Sequence, residues 1–226
     1  MPSLLERQRA QTGVLPATMS EVSSNEPRFW DQRYETGRMA WDCGGVPRAL
    51  TEFLRCHPAG GRALVPGCGS GYEIQAFHAA GWKVLGLDFS RAAVARARKT
   101  LGPLGDRIHE GDFFTHPLDA GSFDLVYERT FLCALPPTTW TAFARRMAGL
   151  LAPGGLLCGF FFFGPEEEPP PYPISPQELD RLLGADFAKT VDEPVVDSLP
   201  LYAGKERWQV WRRRDHAAAG GNSGPT

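Results

Sequence analysis

The stretch that decides the fold is ALVPGCGSGYE, residues 63–73. An apolar run leads directly into three glycines at alternate positions, Gly67, Gly69 and Gly71, and a helical pattern follows. A glycine turn between a buried strand and a helix leaves backbone N–H groups open at the helix N-terminus, where a nucleotide can bind. The spacing is GxGxG and not the GxGxxG of dinucleotide-binding folds, and the chain lacks the length for a separate catalytic domain.

Two acidic positions follow the turn, each after a predicted strand. Asp88 closes the run KVLGLD, where a carboxylate can accept hydrogen bonds from both hydroxyls of a ribose. Asp112 and Phe113 follow the short run DRIHE, where an acid and a ring can meet the edge and the face of an adenine. For Asp112 alone, the competing interpretation is an acid that caps a loop. The order of turn and acids is typical of the S-adenosylmethionine pocket of a class I methyltransferase.

Short apolar runs alternate with helical patterns along the chain. Strands are predicted at 63–66, 83–88, 123–128 and 156–163, and helices after Gly71, from Ser90 and from Thr138. Alternation of this kind predicts an α/β fold with a mostly parallel sheet covered by helices on both faces. We expect the Rossmann-like class I methyltransferase form of it, a twisted sheet of about seven strands whose last strand is antiparallel.

The rest of the chain predicts one domain at 27–214. A mobile segment is expected at 1–26 and a disordered tail at 215–226, because both are polar or rich in small residues. An APGG turn is expected at 152–155. The proline-dense stretch 164–176 predicts a surface flap, and one helix and two strands are expected after it.

Composition excludes several classes of partner. The 24 basic and 26 acidic residues give a net charge of −2, which disfavours nucleic acid. Five scattered cysteines without a CxxC pair predict neither a disulfide framework nor a metal site. The most apolar stretch, 156–163, is far shorter than the roughly 20 residues of a membrane span. We therefore expect a cytoplasmic monomer that acts on a small molecule, without metal or membrane.

Four segments resemble the thiopurine S-methyltransferase superfamily, in particular its plant halide/thiol methyltransferase branch. They are FWDQRYETGRMAWD (29–42), LVPGCGSGYE (64–73), GDFF (111–114) and FDLVYERTFLCALPP (123–137). The first is far more specific than the glycine turn, which class I methyltransferases share. The resemblance covers about 27–214 and implies S-adenosylmethionine as cofactor. It also implies a small soft nucleophile as acceptor: a thiol, sulfide, thiocyanate or a halide.

The resemblance assigns residues 27–42 to a lid over the cofactor. Three spaced aromatic residues of the lid, Trp30, Tyr34 and Trp41, are implied to contact the cofactor. The plant branch usually has Trp at the position of Tyr34. Without the family, spacings of four and seven residues would also make a helical packing stripe.

The resemblance also implies roles in the pocket. Gly67, within the turn that includes Gly69 and Gly71, takes the methionine end, and Asp88 takes the ribose. Arg129 falls where the plant proteins tend to carry a Tyr close to the methyl group and the acceptor. An Arg there favours a thiolate, another anion or a carboxylate-bearing acceptor. The competing interpretation for Arg129 is an ion pair with the preceding acid, Glu128, that caps a strand.

Methyl transfer from a sulfonium is an in-line displacement, so positioning and exclusion of water carry the rate. A soft acceptor needs little help from a base. An oxygen or nitrogen acceptor would need one, and Asp42 and Glu128 are the candidates. The alternative from another class is a methyltransferase-like sensor or partner module that binds the cofactor without turnover. The presence of all three cofactor elements and the lid block argues against it.

Overall fold

The computed structural model describes residues 23–57, 60–166 and 168–215. Most of the predicted mobile segment and of the predicted tail therefore lies outside the described residues. Residues 23–26 form a turn, in which the N–H of Glu26 donates to the carbonyl of Ser23 at 2.9 Å. The indole of Trp30 donates to the carbonyl of Ser24 at 2.8 Å, which ties this turn to the first helix.

Helices and strands alternate through the described part of the chain. The helices are α1 (Pro27–Thr36), α2 (Arg48–Cys56), α3 (Tyr72–Ala79), α4 (Arg91–Leu101), α5 (Trp140–Leu150) and α6 (Pro176–Leu183). The strands are β1 (Arg62–Pro66), β2 (Lys83–Asp88), β3 (Ile108–Glu110), β4 (Phe123–Arg129), β5 (Leu151–Phe162), β6 (Phe187–Pro194) and β7 (Glu206–Arg213). Short 3₁₀ turns lie at Gly102–Arg107, Leu132–Ala134 and Pro137–Thr139.

The seven strands form a single sheet in the order β3-β2-β1-β4-β5-β7-β6. The first five strands of that order pair in parallel, and β7 pairs antiparallel with both β5 and β6. The predicted α/β fold and its antiparallel last strand are confirmed. The strand order runs in opposite directions from β1, towards β2 on one side and β4 on the other. In open parallel sheets, such a reversal creates a crevice at the carboxyl ends of the strands.

Two apolar clusters cover the two faces of the sheet. Along β1, Leu64 belongs to the cluster that contains residues of α5 and α6, whereas Ala63 and Val65 belong to the cluster that contains residues of α2, α3 and α4. Side chains of a strand alternate between faces, so this division follows from the period of two. Both faces are buried, which explains why the strands read as continuous apolar runs.

Two predicted boundaries were wrong. The stretch 152–155 is not a separate turn, because β5 begins at Leu151 and pairs there with Phe123 before the register shifts. Gly154 lies in this irregular start with a φ of +73°, so the glycines bend the strand instead of ending a helix. The helix predicted from Thr138 begins at Trp140, after a 3₁₀ turn.

The other local predictions hold. Ser90 caps α4, because its hydroxyl accepts a hydrogen bond from the N–H of Ala93 at 3.1 Å. The described residues of 164–175 form neither helix nor strand, as expected of the flap. Pro176 is the first residue of α6, where a missing N–H costs nothing. No helix in the described ranges is long and apolar enough to cross a membrane.

Candidate active site

A large cavity of about 630 Å³ lies at the carboxyl ends of β1 to β4. Its walls come from Gly67 after β1, Asp88 at the end of β2, 111–114 after β3 and Thr130 after β4. A small cavity of about 60 Å³ adjoins it and shares four lining residues with it, Tyr34, Trp41, Gly67 and Thr130. The large cavity has the size of a typical small-molecule site and lies where open α/β sheets bind ligands.

The glycine turn approaches its neighbours more closely than any side chain would allow. Gly67 and Gly69 have φ values of +58° and +52°. A Cβ on Gly67 would lie 2.5 Å from the ring of Phe131, and one on Gly69 would lie 2.6 Å from the hydroxyl of Tyr34. Gly67 lines both cavities and Gly69 lines the small one. The turn thus leaves backbone exposed at the point where the two cavities meet.

Gly71 lies elsewhere. It lines neither cavity, and a Cβ there would lie 3.1 Å from the side chain of Ala97 and 3.2 Å from that of Leu101 on α4. Its φ of +79° also favours glycine. The structure therefore gives this glycine a packing reason, which the GxGxG spacing alone did not reveal.

Asp88 is buried at the end of β2 and lines the large cavity. Its Oδ2 accepts the N–H of Gly69 at 3.0 Å and its Oδ1 accepts the N–H of Ser90 at 2.9 Å. Burial raises the pKa of this carboxyl to about 6, against the effect of these hydrogen bonds. Each oxygen keeps a further lone pair, so the carboxylate can still accept hydrogen bonds from a ligand.

Asp112 and Phe113 also line the large cavity. Oδ1 of Asp112 accepts the N–H of Phe114 at 2.7 Å, so this acid does cap a loop. Phe113 is buried and makes edge-to-face contacts with Phe114 and Phe131, with ring centroids 5.3 and 5.2 Å apart. The two interpretations of Asp112 are therefore compatible, because the capped loop forms a wall of the cavity.

The three aromatic residues of the lid segment lie together against the large cavity. Trp41 makes edge-to-face contacts with Trp30 at 5.3 Å and with Tyr34 at 5.9 Å between ring centroids. The helical stripe was the wrong interpretation for Trp41, because α1 ends at Thr36 and Gly37 turns the chain with a φ of +71°. Burial raises the pKa of Tyr34 far above its usual value, so its hydroxyl stays protonated.

Two acids fasten this segment to the rest of the site. Oδ1 of Asp31 accepts the hydroxyl of Ser90 at 2.7 Å and an N–H in the first turn of α4 at 3.1 Å. Oδ2 of Asp42 accepts the hydroxyl of Ser70 at 2.7 Å and lies 3.7 Å from a guanidinium nitrogen of Arg96. Sequence reasoning missed the role of Asp31, since its partner lies 59 positions along the chain.

Arg129 lies at the end of β4 and lines the small cavity, not the large one. Its guanidinium stacks 4.4 Å from the centroid of the Phe160 ring. Its Nη1 is buried and has no hydrogen-bond partner among the described residues. The guanidinium is therefore held in place by packing, and it keeps an unused donor beside the small cavity.

The predicted ion pair between Glu128 and Arg129 is not formed within the described ranges. Oε1 of Glu128 accepts the N–H groups of Phe131 and Leu132, each at 2.9 Å, so this acid caps the turn after β4. Burial raises the pKa of Glu128 to about 7. Adjacent residues of a strand point to opposite faces, which separates the two side chains.

Sequence reasoning also missed an acid in the small cavity. Glu73, in the first turn of α3, is buried and lines this cavity together with Asp42 and Arg129. Burial raises the pKa of its carboxyl to about 7. Its only local signal was an acid two residues after the last glycine of the turn.

The far wall of the large cavity comes from segments remote from the glycine turn. They are Cys133 to Leu135, Pro170 and Pro171 of the flap, and Leu201 and Tyr202 from the loop between β6 and β7. The flap was predicted as a surface segment. No pattern in the sequence of the loop before β7 connects it to the site.

A profile of the thiopurine S-methyltransferase family matches residues 25–219, which contain every described lining residue of both cavities except Ser24. The chain belongs to this family. It is 36% identical over 201 residues to the probable thiol methyltransferase 2 of Arabidopsis thaliana, across 85% of this chain and 88% of that protein. It is 30% identical over 192 residues to thiocyanate methyltransferase 1 of the same plant, across 81% and 84%.

Solved structures of low identity share the fold of this family member. One is the 1,6-didemethyltoxoflavin-N1-methyltransferase of Burkholderia thailandensis with bound S-adenosylhomocysteine, at a TM-score of 0.66, 20% identity and coverage of 84% and 87%. Another is magnesium protoporphyrin IX methyltransferase from Synechocystis with bound S-adenosylmethionine, at a TM-score of 0.63, 17% identity and coverage of 87% and 100%. The prediction of an S-adenosylmethionine-dependent methyltransferase is confirmed, and a module without turnover is set aside.

The residues present fit this cofactor. Gly67 lines both cavities and Gly69 lines the small one, so backbone without a side chain faces a ligand there. Asp88 offers free lone pairs at the end of β2, and Phe113 offers an apolar ring in the same cavity. A nucleoside with an attached amino acid requires this combination of diol acceptor, apolar wall and exposed backbone.

Proposed function

We propose that the protein methylates a small soft nucleophile: a thiol, sulfide, thiocyanate or a halide. The observation that carries this proposal is the absence of a suitable base among the described residues that line the large cavity. Its carboxylates belong to Asp88 and Asp112, both of which accept backbone N–H groups. A soft acceptor attacks without a base, whereas an alcohol or an amine usually requires one. The names of the two Arabidopsis relatives support a sulfur acceptor.

The two candidate bases are poorly suited to an oxygen or nitrogen acceptor. Glu128 lines neither cavity, and one of its oxygens caps a turn. Asp42 lines only the small cavity and is engaged by Ser70 and Arg96. An O- or N-methyltransferase is therefore the weaker candidate.

We propose that Asp88 accepts the ribose hydroxyls, that Asp112 and Phe113 hold the adenine, and that Gly67 and Gly69 receive the methionine end. Bound S-adenosylmethionine supplies an electrophilic methyl group whose departure leaves a neutral thioether, so no residue has to protonate the leaving group. The task of the protein is then to align the acceptor and to exclude water.

We propose that residues 27–42 act as the lid. The support is the packing of Trp30, Tyr34 and Trp41 against the large cavity and the anchoring of Asp31 at the start of α4. Edge-to-face rings of this kind form a dry wall. Water exclusion at the reacting atoms would depend on this wall.

Arg129 is proposed to act through its charge. Its unpartnered Nη1 and its place in the small cavity support an interaction with an anion, either the attacking nucleophile or the carboxylate at the methionine end. A buried guanidinium stays charged at any working pH. It would raise the local concentration of an anionic acceptor such as a thiolate.

The experiment compares methylation rates of sulfide, methanethiol, thiocyanate, iodide and an aromatic thiol in the wild type, Arg129→Ala, Arg129→Tyr and Arg129→Lys. We expect Arg129→Ala to lower the rates with sulfide and the thiols about tenfold, because a partly buried charge contact contributes about 1.4 kcal/mol or more. Arg129→Tyr should lower these rates more than the rate with iodide. Arg129→Lys, the matched control, should retain most of the activity.

Other outcomes separate the roles. Loss of S-adenosylhomocysteine affinity in Arg129→Ala, measured by calorimetry, would assign the residue to the cofactor. Equal losses with every acceptor and an unchanged affinity would make it structural. If S-adenosylhomocysteine accumulates with none of the five acceptors in the wild type, the proposed acceptor class is wrong.

We also propose a monomer of the reducing cytoplasm. All five cysteines are free, which suits a reducing compartment. Among the described residues, Val196 stands out as the exposed large apolar side chain, and isolated apolar residues do not make an interface. Light scattering coupled to size-exclusion chromatography checks the oligomeric state.

A further inference from the structure

We propose that Arg33 and Arg38 form a cationic entrance to the large cavity, which selects methyl acceptors that carry a second negative group, such as a carboxylate, besides the nucleophilic sulfur. This inference rests on the proposed function, because it assumes a sulfur acceptor. It concerns a step that Arg129 does not serve, since Arg129 lines the small cavity and the two entrance arginines line the large one.

The end of α1 brings the two arginines together. Gly37 adopts a left-handed conformation, and the N–H of Arg38 donates back to the carbonyl of Arg33 at 2.9 Å. This is the hydrogen bond of a glycine-terminated helix end, in which the chain folds back over the last turn. Two residues five positions apart thereby reach the same cavity.

The two charges are not neutralised. Neither arginine forms an ion pair within the described ranges, in contrast to Arg48, Arg91 and Arg207. The Arg33 guanidinium lies 3.3 Å from the centroid of the Phe29 ring and donates to a backbone carbonyl at 3.1 Å. The Arg38 side chain has no hydrogen bond in the described part of the chain and is exposed.

The environment also indicates that the two cations are close. Burial and the charge of Arg38 both lower the pKa of Arg33. Stacking on Phe29 holds the Arg33 guanidinium in one orientation, so less entropy is lost when a planar carboxylate binds it. The acids that line the same cavity, Asp88 and Asp112, accept backbone N–H groups and form no ion pair with either of these described arginines.

A fixed anionic substituent distinguishes acceptors that are otherwise alike. Thiophenol and 4-mercaptobenzoate present the same aromatic thiolate, and they differ in one carboxylate. Two unpaired cations at the mouth of a cavity raise the local concentration of the doubly charged acceptor more than that of the singly charged one. The ratio of their kcat/KM values therefore measures how strongly the two arginines favour the acceptor with the carboxylate. Effects of a substitution on methyl transfer itself cancel in this ratio.

The test measures this ratio in the wild type and in the double variant Arg33→Gln/Arg38→Gln at low ionic strength. We expect the ratio of 4-mercaptobenzoate to thiophenol to fall about tenfold in the double variant. The wild-type ratio should also shrink as salt is added, because screening weakens exposed charges. The double variant Arg33→Lys/Arg38→Lys, which keeps both charges, should stay within about threefold of the wild type.

Arg28→Gln provides the matched control for net charge. Arg28 lies on the same helix, is exposed and lines neither cavity. An unchanged ratio in the Gln double variant, or an equal fall in Arg28→Gln, would overturn the inference. A thermal unfolding curve of each variant shows whether α1 remains intact.

A binding measurement separates this inference from the proposed function. If the wild type methylates neither thiol, the proposed acceptor class fails, and binding of 4-mercaptobenzoate to the protein loaded with S-adenosylhomocysteine is measured by calorimetry. Affinity about tenfold weaker in the Gln double variant supports the entrance on its own. Equal affinity in both proteins contradicts it.

Discussion

The two halves of the large cavity are built in different ways. The half proposed for the cofactor uses short motifs at the ends of successive strands, and its geometry is set by backbone hydrogen bonds such as those from Gly69 and Ser90 to Asp88. The opposite half uses side chains from the loop after β4, the flap and the loop before β7. The first half suits a constant ligand, and the second can change with the acceptor.

The difference extends to what stabilises each half. Behind the second half, Cys133, Phe162 and Tyr202 form a small apolar cluster against which Trp41 and Leu201 pack. Apolar packing of this kind tolerates substitutions of similar volume with only a small loss of stability. A glycine turn in close contact tolerates none. Substitutions in the cofactor half should therefore have large effects, and those in the acceptor half should have graded ones.

The largest effect is expected for Gly67→Ala. A left-handed conformation costs a side chain about 1 to 2 kcal/mol, and the new Cβ would also lie 2.5 Å from the Phe131 ring. We expect affinity for S-adenosylhomocysteine to fall at least a hundredfold in calorimetric titration. Gly154→Ala is the control, because Gly154 has a φ of +73° and nothing within 4 Å of its Cβ position.

Gly154→Ala should lower stability by about 1 kcal/mol and leave the affinity for S-adenosylhomocysteine unchanged. Equal losses of affinity in the two variants would mean that strain, and not close approach, governs the turn. The distinction between the two halves of the cavity would then lose its physical basis.

The next effect is expected for Asp88→Asn. An amide would have to place its NH₂ group against one of the N–H donors, Gly69 or Ser90, and would lose the charged acceptor. Loss of about 2 to 3 kcal/mol corresponds to roughly thirtyfold to a hundredfold weaker binding of S-adenosylhomocysteine. Asp124→Asn is the control, since Asp124 accepts the N–H of Arg62 at 2.8 Å but lies at the opposite end of β4.

The same variant gives a pH signature. The pKa of Asp88 is raised to about 6, so the free protein carries a proton there below that pH and must lose it to offer an ionised acceptor. Affinity for S-adenosylhomocysteine should therefore rise between pH 5 and pH 7 in the wild type and stay flat in Asp88→Asn. The same rise in both proteins would assign the titration to another group.

The smallest effect is expected for Leu201→Ala in the acceptor half. Truncation removes part of a wall of the cavity, so we expect the KM for thiophenol to rise about threefold to fivefold while affinity for S-adenosylhomocysteine stays within about twofold. Val196→Ala is the control, because Val196 lies in the same loop, is 82% exposed and does not line the cavity. A large loss of cofactor affinity in Leu201→Ala would contradict the independence of the two halves.

The sequence by itself determined the α/β fold, with its mostly parallel sheet and antiparallel last strand, and placed the glycine turn after the first strand. The glycine turn, Asp88 and the apolar strands are local patterns in the sequence. When helices connect parallel strands, the carboxyl ends of these strands lie at the same edge of the sheet. Local patterns also led to errors. The APGG stretch looked like a turn because glycine and proline usually end elements, yet it begins β5.

Only the tertiary structure decided how distant residues pair. Asp31 of α1 accepts the hydroxyl of Ser90, Glu128 caps a turn and does not pair with Arg129, and Leu201 reaches the cavity from the loop before β7. No periodic pattern or fixed spacing in the sequence indicates these contacts. They exist because the sheet order places β4 beside β1 and β7 beside β5, which brings segments far apart in the chain to one edge.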